Sequence, residues 1–142
     1  MQVSDIMTTD VASLSPYDSC IEAARLMAAC DCGFIPVADG DRLVGVITDR
    51  DIAIRLVAEG RDPATEVRNV MTHRLLYCYD DENIEEAADN MAEMQVRRLP
   101  VVNRSKRLVG VIALGDIAGF NESCSGMALR GISAPPATLT AS

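Results

Sequence analysis

Two aspartates, Asp51 and Asp116, each close a short phrase that begins with glycine: GVITDRD at 45–51 and GVIALGD at 110–116. A carboxylate one turn into a helix can accept two hydroxyls at once, which suits the vicinal hydroxyls of a ribose. Thr48 stands three residues ahead of Asp51, where its hydroxyl can accept from the first helical amides or donate to a ligand. Those amides have no partner within the helix, and they sit at the positive end of its dipole, which favours an anion. Thr-x-x-Asp is equally the pattern of a helix capping box, and on the first phrase alone both readings stand. In the second phrase Ala113 takes the threonine's place and brings no side-chain oxygen. Asp116 is therefore expected to lack a capping partner, which tilts it towards a ligand or dimer contact. A lone acid in a first turn still gains ~0.3–1 kcal/mol from the dipole.

Other chemistry-bearing residues are sparser. Cys30-Asp31-Cys32 could begin a metal site or sense oxidants, but the single histidine, His73, is far away in sequence, and no tetrahedral set is visible. Two small, half-buried residues at a helix end explain the cysteines as well. His73 reads as a surface or loop residue, with a phosphate contact as the alternative. Arg97-Arg98 precedes Leu99-Pro100, and Arg50 adjoins Asp51. Guanidinium forks suit phosphate oxygens, and they equally suit a solvated strand end or a surface ion pair. No Ser-His-Asp set, acid dyad or Walker-type loop is present, so the chain is not read as an enzyme.

The elements that must position these residues come in two copies. VSDIMT at 3–8 matches VRNVMT at 67–72, CIEAARLM at 20–27 matches IEEAADNM at 84–91, and FIPV at 34–37 matches RLPV at 98–101, all at an offset of 64. RLVGVI recurs at 42–47 and 107–112, because one residue is inserted where GDR becomes RSKR. Each copy predicts a short helical lead-in ending at Met7 or Met71, then a brief strand at 11–14 or 75–79. A helix follows at 19–30 or 83–94, with apolar residues at helical spacing and Asp18 or Asn83 as N-cap. Two strands joined by a tight turn come next, at 34–38 with 43–48 and at 98–102 with 108–113. A second helix starts at about Asp49 or Leu114. The matched Met7, Met71, Met27 and Met91 are explained by packing. The expected organisation is copy one over 1–62, copy two over 63–122 and a flexible tail over 123–142, GISAPPATLTAS from Gly131 having no apolar period.

Composition sets the bounds. The chain has 142 residues, 49% of them apolar but only 4% aromatic, with no tryptophan, so the core must be aliphatic. A net charge of −8 argues against broad nucleic-acid binding. No apolar run reaches ~18 residues, so no membrane span is expected, and MQVSDIMTTD lacks the build of a signal peptide. Five cysteines, an odd number, suit reduced thiols and a cytoplasmic location.

The doubled pattern over about 3–118 resembles the tandem CBS domain, the cystathionine-β-synthase regulatory module. The family signature is a glycine, apolar residues, Thr or Ser, two variable residues and Asp. GVITDRD fits it fully, and the second copy departs only at Ala113. The resemblance implies an α/β (α+β) fold of two β-α-β-β-α repeats, packed sheet to sheet with pseudo-two-fold symmetry. It further implies a non-catalytic sensor of an adenine nucleotide or related adenosyl ligand, with no obligatory cofactor or metal. Such a sensor is usually a homodimer and acts on an unknown effector protein by population shift. By resemblance, Arg97 and Arg98 are phosphate candidates. One pocket would join Asp116, Ala113 and Arg98 to Thr8, Val11, Ala12, Cys32 and Ile35. The other would join Thr48 and Asp51 to Thr72, Leu75, Leu76, Val96 and Leu99. The rival readings are a ligand-free oligomerisation or scaffold module, and a thiol or zinc sensor at Cys30 and Cys32.

Overall fold

In the computed structural model residues 1–119 are described, and they form two compact units. The predicted flexible tail and the fifth cysteine, Cys124, lie outside the described residues. One unit is the continuous stretch Ala12–Leu75; the other joins Met1–Val11 to the described residues 76–119.

The continuous unit contains α1 (Cys20–Cys30), β1 (Phe34–Asp39), β2 (Arg42–Thr48) and α2 (Asp49–Asp51), which runs on as a π-helix over Ile52–Val57. Asp18 does not cap α1 as predicted. Ser19 has the extended backbone of an N-cap, and its Oγ accepts the Glu22 amide at 3.2 Å. The Asp18 carboxylate faces backwards and accepts the Ser15 amide at 2.8 Å. α1 lays Cys20, Ala23 and Met27 on the antiparallel β1–β2 hairpin. Gly40 turns that hairpin at φ +67°, a left-handed conformation open to glycine at no steric cost. Ile35, Val37 and Ile47 on the hairpin pack with Leu14, Leu56, Val67, Val70 and Met71. Each such buried aliphatic side chain contributes ~1.5–3 kcal/mol.

The other unit repeats the plan with β3 (Cys78–Tyr79), α3 (Ile84–Met94), β4 (Arg98–Val102), β5 (Leu108–Ala113) and α4 (Leu114–Ala118). The sheet order is β3-β4-β5, with β3 parallel to β4 and β4 antiparallel to β5. Asn83 caps α3 as predicted, its Oδ1 accepting the Glu86 amide at 2.8 Å. Val3, Met91, Leu99, Val101, Ile112 and Ile117 are core residues. The inserted residue is absorbed in the β4–β5 turn. There Lys106 sits at φ +65°, and Asn103 Oδ1 accepts the amides of Ser105 and Arg107. Arg104 lies over the Tyr79 ring and forks onto Asp81 at 2.8 and 2.7 Å. The Lys106 ammonium donates to the hydroxyls of Tyr77 and Tyr79, each at 2.6 Å, and so holds the Tyr79 phenol below its usual pKa.

The predicted brief strands contract. Over 11–14 only Leu14 bridges, parallel to Val37, and over 75–79 only Cys78–Tyr79 is strand. The opposite edge of each hairpin is filled by a lead-in segment from the other sequence copy. Thr72 pairs with Val46 in one unit and Thr8 with Val111 in the other, each through two backbone hydrogen bonds of 2.8–3.1 Å. The signature glycines exist for this pairing. A Cβ on Gly45 would stand 2.6 Å from the Thr72 carbonyl oxygen, and one on Gly110 2.7 Å from that of Thr8.

Candidate functional site

Each unit presents one strand–helix junction, and the two junctions differ although their backbones match. In both, the amide opening the helix donates to the residue before the first hairpin strand: Asp49 N to Gly33 O at 3.0 Å, and Leu114 N to Arg97 O at 2.9 Å. The side chains at those paired positions are exchanged in character. Glycine faces aspartate in one junction, and arginine faces leucine in the other.

In the continuous unit Thr48 and Asp51 form the full capping box. The Asp51 amide donates to Thr48 Oγ1 at 3.1 Å, and the Thr48 amide donates to Asp51 Oδ2 at 3.0 Å. The Asp51 carboxylate goes further. It accepts the Thr72 hydroxyl at 3.1 Å from each oxygen and lies 3.8 Å from Arg55 Nε. Arg55 also donates through its guanidinium to the Met71 carbonyl at 3.1 Å. Asp51 is 7% exposed. Asp49 lies over Gly33, its Oδ2 2.5 Å from where a Cβ would be, so the carboxylate occupies the space a side chain would need. Of the other candidates in this unit, Ile35 is sealed in the core, Ala12 and Cys32 are half-buried, and Arg50 and Leu75 are exposed.

In the other unit Asp116 is half-buried and does have a capping partner, contrary to the sequence expectation. The Ala113 amide donates to its Oδ2 at 2.8 Å. Half a capping box needs only a backbone donor, which alanine keeps. That is the one hydrogen bond the Asp116 carboxylate makes among the described residues. Position 120, which corresponds to Arg55, is phenylalanine. Arg97 and Arg98 are exposed, and their guanidiniums have no hydrogen bond or ion pair among the described residues. They line an open cavity of about 370 Å³ with Ala113, Leu114, Gly115 and Ala118. Thr8 is exposed along β5, Val11, Leu76 and Val96 are half-buried, and Leu99 is a core residue. Sequence reasoning missed Arg55, although its i,i+4 spacing from Asp51 is a readable ion-pair signal. It also missed Gly115 and Ala118, whose smallness opens the cavity.

The thiols are divided. Cys20 and Cys78 are buried, Cys30 is exposed and Cys32 half-buried. Burial, with the Glu82 charge as a second cause, pushes the Cys78 thiol up to about 12. Burial raises Cys20 as well, against the attraction of Arg61. Among the described residues no group of three or more His, Cys, Asp or Glu side chains is placed to hold a metal ion. His73 is exposed, with Nε2 3.0 Å from the Arg68 carbonyl. No helix of the described residues is long and apolar enough to cross a membrane.

Comparison with known proteins places these junctions in a family. The model of the CBS domain matches twice, over residues 3–58 and 67–122. The CBS domain-containing protein YhcV of Bacillus subtilis is 44% identical over 133 residues, 92% of this chain and 94% of that one. Among solved structures, Hypoxic Response Protein I, with two coordinated zinc ions, is 36% identical with a TM-score of 0.76, over 84% of this chain and 98% of that one. CBSX2 in complex with AMP is 29% identical with a TM-score of 0.73, over 83% of this chain and 93% of that one.

Proposed function

This chain belongs to the CBS domain family, whose paired members are regulatory modules, and from that premise we propose that it senses a phosphorylated adenine nucleotide at the junction bearing Arg97 and Arg98. The observation that carries the reading is the pair of exposed guanidiniums, without partners among the described residues, on a cavity lined also by Ala113, Leu114, Gly115 and Ala118 of the junction that carries Asp116. In a chain of net charge −8, two uncommitted arginines side by side mark a local site for an anion. The guanidiniums take the phosphate oxygens, and the uncommitted oxygen of Asp116 accepts ribose hydroxyls. The AMP bound by CBSX2 supports the ligand class. The cavity volume falls in the ~300–1,000 Å³ range of small-molecule sites. The chain itself performs no chemistry. It works in the cytoplasm as a homodimer, and ligand binding shifts its population towards the state an effector protein reads.

The test is calorimetry and thermal shift with adenosine, AMP, ADP and ATP. Phosphorylated ligands should raise stability by ~2.7 kcal/mol at 100 times their dissociation constant. Adenosine should bind at least ~10-fold more weakly, and Arg97→Gln/Arg98→Gln should erase the difference. No heat and no shift with any of the four would refute the sensor reading.

A further inference from the structure

The two signature aspartates occupy equivalent positions, yet their surroundings commit them differently. Asp51 already receives the Thr48 amide and the Thr72 hydroxyl, with Arg55 alongside. The same Arg55 holds the Met71 carbonyl, so the carboxylate and guanidinium together grip both residues that end the second copy's lead-in. Thr72 is also the residue whose backbone extends the hairpin edge at Val46. In the matched place Thr8 makes the same backbone pairing to Val111, but among the described residues its hydroxyl does not reach Asp116. The phenylalanine at position 120 cannot supply Arg55's charge.

From these differences we infer that the junctions have separate tasks. Asp51 is a structural clamp that fastens the 71–72 segment to its unit through Thr72 and Arg55, and the chain takes a single nucleotide, at the Asp116 junction. Three features of the clamp junction oppose a nucleotide there. A ribose would have to displace the Thr72 hydroxyl from a carboxylate only 7% exposed. A phosphate would meet Asp49, whose carboxylate lies over Gly33, at the position where the other junction carries Arg97. Like charges at such a contact repel. The positions corresponding to the arginine pair are Gly33 and Phe34, which leaves the exposed Arg50 as the one arginine beside Asp49 in sequence. The duplicated phrase thus serves two ends: in one copy the acid is spent on holding the fold, in the other it is free to bind.

The inference rests on the sensor reading for the identity of the ligand but not for the clamp. The experiment titrates the full chain with ADP by calorimetry and melts the same proteins without ligand. The expected result is one ADP per chain. Asp116→Asn should weaken binding by ~10-fold or more with little change in melting temperature. Asp51→Asn should keep one ADP per chain within about twofold of wild-type affinity, yet melt clearly below Asp116→Asn. Arg55→Gln should shift melting in the same direction as Asp51→Asn and leave ADP binding unchanged. Two ADP per chain, or loss of binding in a folded Asp51→Asn protein, would overturn the assignment. Equal melting temperatures for the two asparagine variants would overturn the clamp. If wild type binds none of adenosine, AMP, ADP and ATP, the sensor reading and the single-site count fall together, while the melting comparison still decides the clamp.

Discussion

Replacing Asp51 with alanine should cost far more stability than replacing Asp116, and the difference can be worked from the hydrogen bonds. Asp51→Ala strands the Thr48 amide, removes the acceptor of the Thr72 hydroxyl and leaves Arg55 without its carboxylate. A hydrogen bond to a charged group is worth ~1.5–3 kcal/mol, and contacts sharing one carboxylate are not additive. The ion pair adds little, because Arg55 is half exposed to solvent. A net loss of ~3 kcal/mol follows. Asp116→Ala removes one partly exposed bond from the Ala113 amide, a loss of ~1 kcal/mol. The assay is urea unfolding, with the slope checked so that a changed unfolded state is not mistaken for a changed fold. Thr72→Val completes a double-mutant cycle. It should cost ~1.5–3 kcal/mol in wild type and almost nothing once Asp51 is alanine, because the hydroxyl's acceptor is already gone. If the two aspartate variants unfold at the same urea concentration, or if Asp51→Ala and Thr72→Val simply add, the reasoning from the carboxylate's partners is wrong.

Two further outcomes follow from close contacts and from burial. Gly45→Ala and Gly110→Ala should each lose ~1–3 kcal/mol in the same urea assay, because the new Cβ would press on a backbone carbonyl held in a bridge. Gly33→Ala should cost less, since the obstacle is the swinging end of the exposed Asp49 side chain. Cys78 gives the chain a stability slope at high pH. The unfolded thiol releases its proton near 9.0 while the folded one keeps it up to about 12, so stability is whole below pH 9 and falls through that window. The loss is ~1.4 kcal/mol per pH unit for this one group. Comparing wild type with Cys78→Ala at pH 8 and pH 10 isolates it, and an unchanged difference between the two proteins would show that the thiol is not desolvated.

Much of the fold was legible because its signals are local. β4 and β5 could be placed from an apolar run, a turn and a second apolar run. The helices showed their buried faces at i, i+3 and i+4, and Asn83 showed its cap. What escaped depends on residues distant in sequence. A bridge of one residue, such as Leu14 on Val37 or Thr8 on Val111, has no period to read. Asp18 and Ser19 are both good capping types, and only the backbone angles chose between them. At the junctions the repeat displayed the equivalence of Asp51 and Asp116, but not the inequality of their neighbours. Arg55's spacing from Asp51 was readable, but its hold on Met71 and the placement of Asp49 over Gly33 exist only in the folded chain.

The exchange of lead-in segments means that the length which was duplicated and the length which folds are out of step by about a dozen residues. A cut at the repeat boundary would leave the first copy's hairpin with a bare edge, its missing strand carried off at the head of the second. A lone ancestral copy could have satisfied that edge with the corresponding strand of a sister molecule, and tandem fusion would have turned a loan between molecules into a bond within one chain.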